Sequence, residues 1–406
     1  MNFQTHTLEN GIRIIHKPDN SPVGYCGITI NAGSRDELEE EHGMAHFIEH
    51  VIFKGTKKRK AFHILSRLDD VGGELNAFTS KEDTCIYASF LKQDFERAIE
   101  LIHDITFNSI FPDKELSKEI EVIVDEINSY KDSPAELIFD EFEEMLFKND
   151  PMGRNILGTP ERLKTFKKEH IQQFIQRNYN TDQMVFCSVG DVSFKRMVKW
   201  CERYLGQIPT NLRQHKRAAV APYSPESITI EKQTHQSHIM LGNVAYDYNH
   251  PKRLGLHLLN NILGGPGMNS RLNMALREKN GIAYNVESAF TPYFGTGVFS
   301  IYFGTDEENL HRSLNIIDRE LKILKNKPLG SLQLHKATRQ LKGQMTISSD
   351  NRENLMLSMG KSYLLYNQVD PLEKIYEKID AISAKDLMDI ANEILDSKKL
   401  SYLIYL

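Results

Sequence analysis

The sequence predicts an α+β protein built from two duplicated halves, each a mainly antiparallel sheet covered by helices. Three observations carry that expectation. Short β-branched runs alternate with amphipathic helical stretches, this series occurs twice in the same order, and a proline-bearing polar stretch at 207–226 separates the two copies. A chain of 406 residues also exceeds what one core usually organises, and suits two domains of about 200 residues.

In the first half, 5–8, 12–17 and 23–31 read as strands, parted by Asn10-Gly11 and by the Asn20-Ser21-Pro22 turn. Gly33 to Asp36 breaks the pattern, and the acidic run 37–41 reads as a solvated helix entry, where carboxylates suit the positive end of the dipole. A helix follows from about Gly43, a poor interior residue that leaves His42 at the entry. Next come a basic loop at 57–60, a helix at 61–71 stopped by Gly72-Gly73, and a hairpin of strands 75–79 and 84–91. Helices are expected at 95–107, 114–131, onward to 147, at 168–178 and at 194–205, with a strand at 184–189.

The stretch 207–226 holds Pro209, Pro222, Pro225 and a basic cluster, Arg213, His215, Lys216 and Arg217, with little apolar periodicity, so it reads as a linker. The expected organisation is therefore 1–206, linker 207–226, and 227–406.

Strands at 228–233 and 239–245 open the second half and lead to a stretch that overlays the first at a shift of 211 positions. There His257 falls on His46, Asn260 on Glu49 and Asn261 on His50. The pair 298–304 and 306–324 mirrors 86–91 and 94–105, and Asp350-Asn-Arg echoes Asp132-Ser-Pro at a shift of 218.

The residues that carry chemistry lie on the helix after Gly43. His46, Glu49 and His50 form H-x-x-E-H. Residues four apart share a helix face, so both imidazoles can reach one metal ion, and Glu49 projects from nearly the same side. Two imidazoles and a carboxylate base are what zinc-dependent hydrolysis requires. The second copy, with asparagine at two of the three positions, cannot run that chemistry. The first half is thus expected to be the zinc-binding catalytic half, and the second a degenerate half contributing substrate binding.

A catalytic zinc usually takes three protein ligands. The acidic helix 114–131 offers Glu115, Glu119, Glu121, Asp125 and Glu126; Glu119 and Glu126 are seven apart and both flank the apolar side marked by Ile120, Ile123, Val124 and Ile127. Spacing alone leaves these two open. Glu115 and Glu121 read as solvated.

Composition excludes other classes. Forty per cent hydrophobic and 26% charged residues describe a globular protein, and a net charge of −5 gives no reason to expect nucleic acid or an anionic membrane as partner. Four scattered cysteines without a C-x-x-C pair argue against disulfides and thiolate-bound zinc. No run approaches about 18 apolar residues, and neither a secretory nor a transit signal is visible, so a cytoplasmic location is expected.

With these residues in place the chain resembles the pitrilysin family of zinc metallopeptidases, the inverzincins, and within it the processing-peptidase-like branch of two-domain chains. The resemblance implies Glu126, 76 residues after His50, as third ligand and Glu119 as a supporting catalytic carboxylate. It likens Gly72 to Thr79 to the family's active-site edge strand, with the backbone near Asn76 and Ala77 binding substrate. It likens Ser270 to Tyr284 to a substrate-binding segment in which Arg277 and Tyr284 contact the substrate carbonyl or oxyanion. The fold, one zinc ion per chain, and endopeptidase action on short or unfolded peptides with Glu49 as general base follow from the same likeness. Because one chain carries both the motif and the Arg277/Tyr284 pair, the likeness implies a homodimer closing as a clamshell. The alternatives are a non-catalytic core-type structural subunit of the same fold, or one chain of an obligate heterodimeric peptidase.

Overall fold

The computed structural model describes residues 3–232 and 234–406. Two six- and five-stranded sheets organise them. The first contains β1 (Gln4–Thr7), β2 (Arg13–Pro18), β3 (Val23–Ile30), β4 (Glu74–Thr79), β5 (Thr84–Leu91) and β6 (Met184–Gly190), in the spatial order β1-β2-β6-β3-β5-β4. The second contains β7 (Ser227–Ile230), β8 (Ser237–Val244), β9 (Val286–Tyr293), β10 (Thr296–Thr305) and β11 (Ser401–Tyr405), in the order β7-β11-β8-β10-β9. Apart from β1 the two orders correspond strand for strand. Each sheet also has one parallel pair at the same place, β2 with β6 and β7 with β11. That shared topology is the structural form of the duplication. Of the expected strand 228–233, Gln233 lies outside the described residues.

β6 is buried along its whole length, which explains its continuous apolar run Met-Val-Phe-Cys in place of alternation. Helices cover the sheet from both sides. One layer is Phe95–Phe107, with Phe95 and Phe90 meeting edge to face at 4.9 Å between ring centroids. The other is Arg352–Tyr366, packed on β3 and β6 so closely that a Cβ at Gly360 would stand 2.8 Å from the Cys187 sulfur. In the second sheet the equivalent layer is Pro134–Leu146, where Phe142 lies against Gly242.

The compact units therefore follow a different division from the sequence halves. One unit comprises 1–127, 154–218 and 347–371; the other comprises 128–153, 219–346 and 372–406. The helix opened by Asp132-Ser-Pro belongs with the second sheet, and the one opened by Asp350-Asn-Arg with the first. The stretch 207–226 holds no helix or strand, and it is divided between the units. Its arginines are bound in the first unit: Arg217 donates to both Asp36 carboxylate oxygens at 2.9 and 2.7 Å, and Arg213 to Asp36 at 2.8 Å. Among the described residues no helix is long and apolar enough to cross a membrane.

Candidate metal centre

The motif helix is short, Met44–Val51, and its entry is unusual. Gly43 at the N-cap has φ of +95°, and a Cβ there would stand 2.8 Å from the Gly158 Cα, so only glycine fits. Glycine brings no capping side chain. That role falls to Glu37, whose carboxylate accepts the Gly43 N–H at 2.9 Å and the Ala45 N–H at 2.8 Å. Burial pushes the Glu37 carboxyl up to about 8, against the pull of those two N–H groups. The acidic run is thus not a uniformly solvated entry. Glu39 and Glu40 are exposed, but Glu37 is buried, as is Glu41, which pairs with Arg177. Nothing in the run's composition singles out Glu37, because the distinction is set by which residue the folded loop turns inward.

One turn into the helix, His46 and His50 stand together with ring centroids 4.6 Å apart. The acidic helix Asp113–Lys131 buries Leu116, Glu119, Ile123 and Ile127 and carries two carboxylates to these rings. Glu126 Oε2 lies 3.6 Å from His50 Nε2 and 3.8 Å from His46 Nε2. Glu119 Oε2 lies behind His50, 3.4 Å from Nδ1, and its other oxygen is paired with Lys54 Nζ at 2.8 Å. The structure thus separates the two glutamates that spacing left open. Glu121 and Asp125 face solvent, and Glu115 pairs with Lys118 at 2.9 Å.

Among the described residues, His46, His50 and Glu126 are the one group of three such side chains whose ligand atoms all lie within 4.8 Å of one another. Ligands held tetrahedrally at about 2.0–2.1 Å from zinc stand about 3.4 Å apart, so this donor set closes on such an ion with slight adjustment. Burial, with a smaller contribution from His50, holds the His46 imidazole down at about 4, in the neutral form that ligates metals.

Glu49 points to the same region. Burial raises its carboxyl pKa, opposed by the nearby polar groups of Thr79, whose hydroxyl donates to the Ala45 carbonyl at 3.5 Å. Thr79 ends β4, the strand that also holds Asn76 and Ala77. β4 is an outer strand of its sheet, paired on one side only, with Asn76 opposite Tyr87 and Ala77 opposite Ile86. The sequence pointed to this strand but not to Thr79 as a neighbour of Glu49.

In the second unit the equivalent helix, Arg253–Gly264, carries His257 packed on the Phe290 ring at 4.6 Å, with Asn261 buried beside it. Arg277 lies on a π-helical turn, Asn273–Glu278, with its guanidinium 5.0 Å from the centre of the exposed Tyr284 ring. Both line a cleft of about 530 Å³ together with Asn260, Gly265, Glu287 and Ser288. The sequence-derived pair is thus brought together with Asn260, the residue that stands in the place of Glu49 in the repeat.

Comparison with known proteins agrees with these features. Residues 13–160 match the model of insulinase (peptidase family M16), and residues 165–341 that of the peptidase M16 inactive domain. The chain is 33% identical to the uncharacterized zinc protease YmxG of Bacillus subtilis, over 97% of this chain and 95% of that one. It is 34% identical to an uncharacterized zinc protease of Rickettsia felis, over 99% and 97% of the two chains. The mitochondrial-processing peptidase subunit beta of Saccharomyces cerevisiae is 28% identical, over 98% and 90%. The fold is shared with a peptidase M16 inactive domain from Pseudomonas fluorescens, at a TM-score of 0.92, 21% identity and coverage of 100% and 98%. It is shared also with a protease from Helicobacter pylori, at a TM-score of 0.89, 21% identity and coverage of 100% and 99%. From the inverted H-x-x-E-H motif to the duplicated sheets, this chain belongs to the pitrilysin, or M16, family of peptidases.

Proposed function

We propose that the chain is a zinc-dependent endopeptidase cleaving short or unfolded peptides, with Glu49 as general base. The observation that carries this reading is the convergence of His46, His50 and Glu126 donor atoms beside a half-buried Glu49. One zinc ion per chain, held by those three residues, would supply the Lewis acidity that acidifies a water and polarises the scissile carbonyl.

The remaining steps belong to the chain's own groups. Burial makes Glu49 a better proton acceptor, so it takes the attacking water's proton and returns it to the departing amine. The outer side of β4, around Asn76 and Ala77, receives the substrate as an added strand, which binds backbone more than side chains. Arg277 and Tyr284 donate hydrogen bonds to the substrate carbonyl or the oxyanion. Motif and pair on one chain support a homodimer as the working form, and a cytoplasmic location accompanies it.

Metal analysis and cleavage of a quenched peptide test the reading. Protein purified alone should hold one zinc and lose cleavage to a chelator. Glu49→Gln should keep zinc and lose about 10²–10⁴ in rate. Glu126→Gln should lose zinc. Wild-type turnover by Glu49→Gln removes Glu49 as base, and full zinc in Glu126→Gln moves the third ligand elsewhere. A chain with neither zinc nor cleavage is the non-catalytic core-type subunit. Zinc with cleavage restored only by a second polypeptide makes it half of a heterodimer.

A further inference from the structure

Lys54 follows His50 by four residues, just beyond the motif helix, and its ammonium reaches Glu119. Nζ forms an ion pair with Glu119 Oε1 at 2.8 Å, while Oε2 of that carboxylate lies 3.4 Å from His50 Nδ1, and His50 Nε2 lies 3.6 Å from Glu126 Oε2. The four side chains form a line from a half-buried cation to the ligand set. Glu119 is buried, with a side-chain exposure of 9%, so its charge needs a partner there. Lys54 supplies it and fixes one carboxylate oxygen, leaving the other to accept from His50 Nδ1–H. With the proton held on Nδ1 by that hydrogen bond, the Nε2 lone pair is left free for a metal ion.

The other ligand has no comparable support: His46 Nδ1 is buried with no hydrogen-bond partner among the described residues. The orientation of the imidazole pair therefore depends on the His50 side. From this geometry we infer that Lys54 is a positioning residue of the metal centre, acting through Glu119 on His50. The inference rests on the zinc-site reading above and adds a residue outside the H-x-x-E-H and glutamate set.

The test is zinc affinity, measured by competition with a chromophoric chelator, alongside thermal unfolding of the metal-free and zinc-loaded proteins. Lys54→Met should weaken zinc binding about 10- to 100-fold, the range for loss of an outer partner of a ligand. The metal-free protein should lose less in melting temperature than the zinc-loaded protein, because Glu119 keeps His50 as a partner. Lys54→Arg, which keeps the charge, should recover most of the affinity. In a Glu119→Gln background Lys54→Met should add nothing, because both act along one line.

Wild-type affinity in Lys54→Met, multiplied losses in the double variant, or equal destabilisation of the metal-free protein would each overturn the inference. Wild-type protein that takes up no zinc, or Glu126→Gln that keeps it, removes the site and this inference with it. Zinc uptake abolished by Glu126→Gln but untouched by Lys54→Met removes the role of Lys54 alone.

Discussion

Replacing Glu37 by alanine tests how the motif helix is held. The eight-residue helix Met44–Val51 has glycine at its N-cap, and the Glu37 carboxylate accepts the Gly43 and Ala45 N–H groups at 2.9 and 2.8 Å. Gly43 and Ala45 are buried, so both donors lose their only acceptor away from water. An orphaned buried donor costs about 1–3 kcal/mol, and loss of a capping side chain typically about 1 kcal/mol. Water entering the space left by the side chain recovers part of this. The net expectation is about 3 kcal/mol.

Metal-free protein followed by circular dichroism should then melt about 6–12 °C below wild type, taking about 2–4 °C per kcal/mol for units of this size. His46 sits in the first turn of that helix, so zinc affinity should fall too. Glu39→Ala, at an exposed position of the same acidic run, is the control and should stay within about 0.5 kcal/mol. A Glu37→Ala protein that melts with the control would show that the helix start does not depend on this carboxylate.

Two further predictions concern the first unit. His16 is fully buried, with Nδ1 2.9 Å from the Ser188 hydroxyl and Nε2 3.1 Å from the Val192 carbonyl, and burial holds its pKa down at about 4. The unfolded chain takes up the proton first, so this contribution is complete above pH 6.5 and lost as pH falls from 6.5 towards 4. The loss should be about 3 kcal/mol; urea unfolding of metal-free protein at several pH values measures it, and His16→Gln should flatten the curve over that window. Arg217→Met removes a guanidinium that binds Asp36 twice and the Glu82 carbonyl at 2.6 Å. It should destabilise the unit by about 3 kcal/mol, as expected when one partner of a buried pair is lost; an unchanged urea midpoint would make these contacts incidental.

What the sequence determined by itself is local. Periodicity marked the helices Phe95–Phe107 and Lys168–Asn178 and the strand Thr84–Leu91 at their observed bounds, because an amphipathic face is written into neighbouring residues. The same locality placed His46, Glu49 and His50 on one helical turn. The repeat was also legible, because each equivalent pair keeps nearly the same shift.

What only the tertiary structure decided depends on partners far away in the chain. β9 and β11 were not marked as strands; β11 lies between β7 and β8 through pairings with segments more than about 150 residues distant, which periodicity cannot express. The helices Pro134–Leu146 and Arg352–Tyr366 carry matching sequence echoes, yet each packs on the sheet formed mainly by the other half. Glu119 and Glu126 are equivalent in helical spacing. The packing of the acidic helix against the motif helix sets Glu126 towards both Nε2 atoms and Glu119 behind His50. Burial of Glu37 beside exposed Glu39 and Glu40 has the same origin: a carboxylate's role follows from the donors that the folded chain brings to it.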